Sequence, residues 1–235
     1  MKSTTDEPYD KYVETFRDGR YAAEYTNSYN LRSTRDLKDW KKGIGWLIAK
    51  LEVEAIQSLL HKCNGSTVLD VPCGSGKVVS GLTSQGFTVT GLDSSSDMLL
   101  RIPQADSRNI HIVKGNILAL PFKDSSFDIV LCHRFLHRIP LSHRGGVLSE
   151  IHRVCKESLI VYYGVTSGLT DLITRFERIS GMGDRGVIHY VSKNSVMNEL
   201  GRNGFSYIDG KYVLPIASTG YLAAARREKE SSRDG

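Results

Sequence analysis

Little in this 235-residue chain points to a membrane, a metal or an oxidising compartment. No apolar run approaches the length that spans a bilayer. The four cysteines, Cys63, Cys73, Cys132 and Cys155, are far apart, with no C-x-x-C pair, and the histidines do not fall at metal-ligand spacing. Neither a disulfide framework nor a zinc site is thereby supported, and no metal is expected. Met1 to Tyr12 is polar and acidic without an apolar core, so neither a secretory signal nor a transit peptide is read there, and cytoplasmic residence is expected. A net charge of +5 would permit a nucleic-acid partner, but basic residues alternate with acids along the whole chain. Without a basic stripe or an added recognition domain, nucleic acid is a disfavoured partner.

What is present describes a soluble α/β domain. Hydrophobic residues make up 40% and charged residues 24% of the chain, and the mean hydropathy is -0.26. That length supports one core and hardly two. Before about Gly65 the pattern is helical: Tyr9, Tyr12, Phe16, Tyr21, Tyr25 and Tyr29 recur at three- and four-residue steps. Trp46, Leu47, Leu51, Val53, Ile56, Leu59 and Leu60 follow as a helix expected to pack on a sheet. Strands and helices then alternate. Strands are predicted at Thr67–Val71, Phe87–Asp93, Ile110–Gly115, Phe127–Cys132 and Ser158–Tyr163, with helices through Leu82, at Ser96–Ile102 and at Ser149–Val154. Such alternation makes a parallel sheet covered on both faces, because right-handed crossovers lay each helix back on it. A further helix, Lys193–Arg202, precedes two strands, Phe205–Val213 and Tyr221–Ala225. The expected organisation is a helical cap over 1–62, a core over 63–225 with an acceptor-side insertion at 165–190, and a disordered tail at 226–235.

The densest chemical signal is the turn after the first strand. Asp70 ends that strand, and Pro72-Cys73-Gly74-Ser75-Gly76 places glycines at alternate positions, where the chain bends and a ligand can approach the backbone. Twenty-three positions after Asp70, Asp93 ends the second strand, where an acid can accept hydrogen bonds from both hydroxyls of a ribose. A G-x-G alone is also what a tight helix–strand junction needs; the acid that follows adds the weight. The dinucleotide fingerprint fails, since Val79 stands where the third glycine would fall, and Lys77 lacks the upstream glycine of a P-loop. Nicotinamide, flavin and ATP are therefore disfavoured.

Leu69-Asp70-Val71-Pro72-Cys73-Gly74-Ser75-Gly76 resembles motif I of the class I S-adenosylmethionine-dependent methyltransferases, in the form of the ubiquinone/menaquinone-biosynthesis-like group. Later motifs agree in order: Gly91-Leu92-Asp93-Ser94-Ser95 with Met98-Leu99, Lys114-Gly115-Asn116-Ile117 with Leu120-Pro121-Phe122, and Ser126-Phe127-Asp128-Ile129-Val130 with Leu136-His137-Arg138-Ile139. The resemblance runs from about Thr67 to Tyr163. It implies a three-layer αβα sandwich, a doubly wound and mostly parallel Rossmann-like sheet with an antiparallel C-terminal strand. S-adenosylmethionine is the implied cofactor and S-adenosylhomocysteine its product. It further implies that Asp70 and the turn of Cys73, Gly74, Ser75 and Gly76 hold the methionine part. Asp93 would bind the ribose, Ser94 and Met98 would line ribose and adenine, and Asn116 and Ile117 would meet the adenine edge and face. The group more often has Asp where Asn116 stands, although an amide oxygen can still accept from an adenine amino group. Cys132 and His133 fall where the methyl donor is expected.

Acid–base chemistry has candidates in His133 and His137, set against capping or packing roles for the same residues. A sulfonium is an activated donor, so positioning can suffice without a base. Arg134 and Arg138, with Arg144 beyond them, suggest an anionic acceptor or, more simply, a solvated capping set; Tyr21 is the N-terminal aromatic expected nearest the acceptor. No Asn-Pro-Pro-Tyr or Asp-Pro-Pro-Tyr sequence marks amino-group methylation of bases or glutamine. The expected reaction is methyl transfer to an O, N or C atom of a small or lipid-linked acceptor. The alternatives are an RNA or protein methyltransferase, which the basic charge allows, and a non-catalytic partner or sensor that binds S-adenosylmethionine.

Overall fold

A computed structural model describes residues 40–102, 108–166, 188–214 and 219–228. The N-terminal tyrosines, Tyr21 among them, and most of the expected insertion lie outside the described residues. Helix α1 (Trp40–Leu60) leads into β1 (Thr67–Asp70), α2 (Val79–Thr83), β2 (Thr88–Asp93), α3 (Ser96–Leu99), β3 (Ile110–Lys114) and β4 (Phe127–Cys132). A 3-10 turn (Leu136–Arg138), α4 (Leu141–Val154), β5 (Cys155–Gly164), α5 (Lys193–Arg202), β6 (Phe205–Tyr212) and β7 (Gly220–Arg227) complete it.

The seven strands form one sheet in the order β3-β2-β1-β4-β5-β7-β6. Strands β1 to β5 pair in parallel, while β7 runs antiparallel to both β5 and β6. The sheet is thus mostly parallel and doubly wound, with an antiparallel strand at the C-terminal end. Because strand side chains alternate between faces, neighbouring residues join opposite cores. Val68, Ile129, Leu131 and Ile160 pack with Ile56, Leu59 and Leu60 of α1 and Leu82 of α2. Leu69, Val130, Leu159 and Val161 pack with Val147, Leu148 and Ile151 of α4 and Leu200 of α5. Two helical layers therefore enclose the sheet. Each fully buried Leu or Ile contributes about 1.5–3 kcal/mol by leaving water.

Several boundaries differ from the sequence reading. Trp46 and Leu47 are exposed rather than packed on the sheet, with Lys50 Nζ over the Trp46 ring; the buried stripe begins lower, at Ala55, Ile56, Leu59 and Leu60. Helix α4 starts eight residues before Ser149, because Val147, Leu148, Ile151 and Val154 share one face and the Gly145-Gly146 pair disguised it. Helix α3 ends at Leu99, short of Ile102, and β5 begins at Cys155. Arg226 and Arg227, assigned to the tail, are instead the last residues of β7. They pair with Ser206 and Phe205, and Arg227 Nη1 donates to the carbonyl of Cys155.

Candidate active site

Both acids of the sequence reading come to the carboxyl edge of the sheet, where ligands bind in open α/β folds. The turn after β1 is clamped on two sides: Val71 N–H donates to Leu131 O at 2.9 Å and Cys73 N–H to Leu92 O at 2.9 Å. Gly74 and Gly76 have φ of 54° and 72°, the left-handed region where a side chain is strained. The two glycines serve different ends. A Cβ on Gly76 would meet Ile102 at 2.9 Å, so this glycine lets the turn pack; a Cβ on Gly74 would meet nothing within 4 Å, which leaves an open approach to the backbone.

Asp93 organises the turn from the next strand. Its Oδ2 accepts from Gly74 N–H at 2.8 Å and its Oδ1 from Ser95 N–H at 2.9 Å. Burial pushes the Asp93 carboxyl above its ordinary range, against the pull of these amides. Asp70 is in a harsher position: it is 1% exposed and neither oxygen has a hydrogen-bond partner. Burial first, and the nearby Asp93 second, raise its carboxyl well above the ordinary range. An unpartnered buried carboxylate costs several kcal/mol unless a donor or cation arrives. Met98 and Ile117 are buried beyond these acids, Ser75 is buried in the turn, and Ser94 is half-buried. Asn116 is exposed, and its Oδ1 already accepts from Leu118 N–H at 3.0 Å. Cys73 and Cys132 are buried thiols; burial, with Asp70 adding to it, pushes Cys132 up to about 12, so neither is a nucleophile.

At the end of β4 the structure assembles a group that the sequence reading missed. Glu52 of α1 is 3% exposed, and Arg134 Nε donates to its Oε1 at 2.8 Å while Arg134 Nη2 lies 2.8 Å from the same oxygen. His133 Nε2 stands 3.3 Å from Glu52 Oε2. Burial pulls the Glu52 carboxyl up, but Arg134 and His133 together hold it below the ordinary range. Arg134 takes a left-handed φ of 53°, a strain of about 1–3 kcal/mol for a residue with a side chain, held in place by this ion pair. Lys77, just after the glycine turn, is brought down to about 7 by burial and by Arg134. The signal for Glu52 lay in the sequence: an acid four residues after Ile48 and four before Ile56, on the face that turns inward.

The arginines are not a solvated set. Arg144 is fully buried, donating from Nε to Ile139 O and from Nη2 to His189 O, both at 3.0 Å, with Glu199 3.6 Å from Nη1. Arg138 is also buried, and the Arg134 guanidinium is spent on Glu52. His133 and His137 both lean on the Tyr162 ring, with centroids 5.6 and 4.9 Å away. His137 is 4% exposed, and its Nδ1 has no hydrogen-bond partner. Burial, then Arg138, Arg134, His133 and Arg144, push its ring well below the ordinary histidine range, so it is neutral.

A family model described as a methyltransferase domain matches residues 69–162, the stretch that carries the turn, both acids and both histidines. The demethylmenaquinone methyltransferase of Listeria welshimeri is 36% identical over 106 residues, covering 42% of this chain. Residues 69–162 are thus similar to a methyltransferase domain. The match spans 44% of that curated relative's length, so likeness to it reaches less than half of the relative. Magnesium protoporphyrin IX methyltransferase from Synechocystis PCC 6803, solved with S-adenosylhomocysteine, shares the methyltransferase fold at a TM-score of 0.75 and 19% identity. It aligns over 94% of this chain and all of its own. So does 1,6-didemethyltoxoflavin-N1-methyltransferase from Burkholderia thailandensis, at a TM-score of 0.66 and 18% identity over 97% of this chain and 94% of that one.

The cofactor of this class fits the residues present. Asp70 offers an unsatisfied carboxylate to an ammonium or sulfonium, Gly74 offers open backbone, and Asp93 ends β2 as an acceptor beside it. Among the described residues no cluster of three or more acidic, histidine or cysteine side chains could hold a metal, and no helix is long and apolar enough to cross a membrane.

Proposed function

We propose that the protein is an enzyme that transfers the methyl group of S-adenosylmethionine to an O, N or C atom of a small or lipid-linked acceptor, in the cytoplasm. The observation that carries this reading is Asp70, a buried carboxylate with no partner beside a glycine turn with room for a ligand. When bound, S-adenosylmethionine supplies an electrophilic methyl on a sulfonium. Asp70 and the turn of Cys73, Gly74, Ser75 and Gly76 hold its amino-acid end. Asp93 accepts from the ribose, and Ser94, Met98, Asn116 and Ile117 line the adenosyl side. Cys132, His133 and His137 face the methyl, where their elements meet the carboxyl edge of the sheet. The cap over 1–62, with Tyr21, and the insertion over 165–190 enclose the acceptor.

A small acceptor is supported by the similar proteins, whose names carry demethylmenaquinone, magnesium protoporphyrin IX and 1,6-didemethyltoxoflavin. Calorimetric titration with S-adenosylmethionine and S-adenosylhomocysteine, against NADH and ATP, tests the reading. Selective binding of the adenosyl pair, followed by transfer of labelled methyl to a small molecule from a cell extract, is the expected result. Selective NADH or ATP binding overturns it. Label incorporated into RNA or protein replaces the acceptor class, and binding without turnover leaves a sensor.

A further inference from the structure

Asp70 ends β1 between two strands, level with Gly91 of β2 on one side and Leu131 of β4 on the other. Two carboxyl groups meet at this edge, and the backbone treats them unequally. Asp93 takes the Gly74 N–H on Oδ2 at 2.8 Å and the Ser95 N–H on Oδ1 at 2.9 Å, donors that hold a negative charge on that residue. Asp70, 1% exposed, takes none on either oxygen. Two thiols flank it: Cys73, whose Sγ lies 3.0 Å from where a Cβ on Gly91 would stand, and Cys132 of β4. Both are buried and kept protonated, by burial first and by Asp70 second. The cations at this end of the sheet are engaged elsewhere. Arg134 and His133 act on Glu52, and Lys77 lies in the fields of Arg134 and Glu52; among the described residues, Asp93 is the charged group that acts on Asp70.

A carboxylate in that place is buried without a donor or a cation and faces a second negative charge, whereas a carboxylic acid is neutral and escapes both costs. We infer that Asp70 is a neutral carboxylic acid in the free protein and gives its proton to solvent when the ammonium of S-adenosylmethionine arrives, so that cofactor binding releases one proton. The inference rests on the methyltransferase reading above and adds to it a charge state for the site and a pH dependence for the cofactor. The O–H bond of Asp70 breaks, its electron pair stays on the carboxylate, and the anion so formed pairs with the ammonium. Gly74, where a side chain would meet nothing within 4 Å, leaves the ligand a way to the turn beside it. Affinity follows by linkage. Where the free carboxyl is protonated and the bound one is not, each pH unit downward weakens binding about tenfold, because a proton must first be removed; once the free carboxyl is itself ionised, affinity is level.

Calorimetric titration of the full chain with S-adenosylhomocysteine, which carries the same ammonium, counts the protons. Run at about pH 6 in MES and in imidazole, buffers of different ionisation heat, it should show close to one proton released per ligand bound; the ligand's own amino group, ordinarily near about 8, keeps its proton. Asp70→Asn should bind more weakly and release none, with Asp70→Ser as the second variant should the first fold poorly. Infrared difference spectra give an independent reading: the C=O stretch of a protonated carboxyl should be present in the free protein, vanish on saturation with the ligand, and be missing from the difference spectrum of Asp70→Asn. Binding without proton release, uptake of a proton, release that persists in the variant, or no protonated carboxyl lost overturns the inference. In each of those cases the protein still binds the ligand and the methyltransferase reading stands. Failure to bind S-adenosylhomocysteine at all, from about pH 5 to about pH 8, removes that reading and this one with it.

Discussion

Asp128 and Asp70 sit in neighbouring strands at opposite ends of the same sheet, and they are treated in opposite ways. At the amino end, Asp128 Oδ2 accepts from Ser66 N–H, Thr67 N–H and Thr67 Oγ1 at 3.0, 3.1 and 2.9 Å, with Lys156 Nζ 3.3 Å from Oδ1. Burial is the largest single influence and pulls its carboxyl up, but the donors together outweigh it and bring the carboxyl down to about 2. At the carboxyl end, Asp70 has no donor at all and its carboxyl is pushed up. The satisfied acid belongs to the fold, stitching β1 to β4; the unsatisfied one has no partner within the fold. Glu52 complicates this division, because it is a satisfied acid at the ligand end, paired with Arg134 and His133 just after β4 rather than with backbone amides.

The largest expected effect falls on that exception. Glu52→Gln leaves the largely enclosed Arg134 guanidinium without its anion in a left-handed backbone, and should cost about 3–5 kcal/mol and lower Tm by about 10 °C. Thermal unfolding checks this, and an unchanged Tm would show that the pair is loosely held. Asp70→Asn should separate binding from stability. S-adenosylhomocysteine affinity is expected to fall about 30-fold, roughly 2 kcal/mol, while Tm holds or rises. The sign follows from a native carboxyl raised above its unfolded value, so its ionisation costs stability as pH rises and Asn removes that cost. Calorimetry showing full affinity, or a scan showing a lower Tm, places Asp70 with the fold.

Asp128→Asn should do the reverse, losing about 1–2 kcal/mol of stability with affinity intact. Its carboxyl lies below the unfolded value, so its contribution is complete above about pH 4 and is lost as pH falls through about 2. In urea titrations the gap between wild type and variant should narrow from pH 6 to pH 3; a gap that widens contradicts the comparison. The smallest effect is expected at Asn116→Ala. Asn116 is exposed and its oxygen already serves Leu118 N–H, so affinity for S-adenosylhomocysteine should change less than about threefold. A tenfold loss would move Asn116 among the principal adenine contacts.

The glycine-turn side of the candidate site is largely legible in the sequence, because its residues are near neighbours along the chain: strand, acid, glycine turn, strand, acid. Periodicity also reveals the strands and the order of layers. Gly145-Gly146 hides the first half of α4, and Trp46 and Leu47, which are exposed, imitate a buried face. The acceptor side is legible only as a set of residue types. His133, His137, Arg134, Arg138 and Arg144 stand out, but none of their roles does, because each depends on a partner that the chain supplies from elsewhere.

Alone, the sequence determined the fold class, the glycine turn and the two acids that end β1 and β2, since short-range backbone geometry and alternating hydrophobicity dictate those directly. Only the tertiary structure decided which charges are spent. Glu52 meets Arg134 across 82 residues and Arg144 meets the carbonyl of His189 across 45, contacts set by how α1 and α4 pack on opposite faces of the sheet. Burial, which no single residue carries in its own identity, then left Asp70 and His137 Nδ1 as groups without partners.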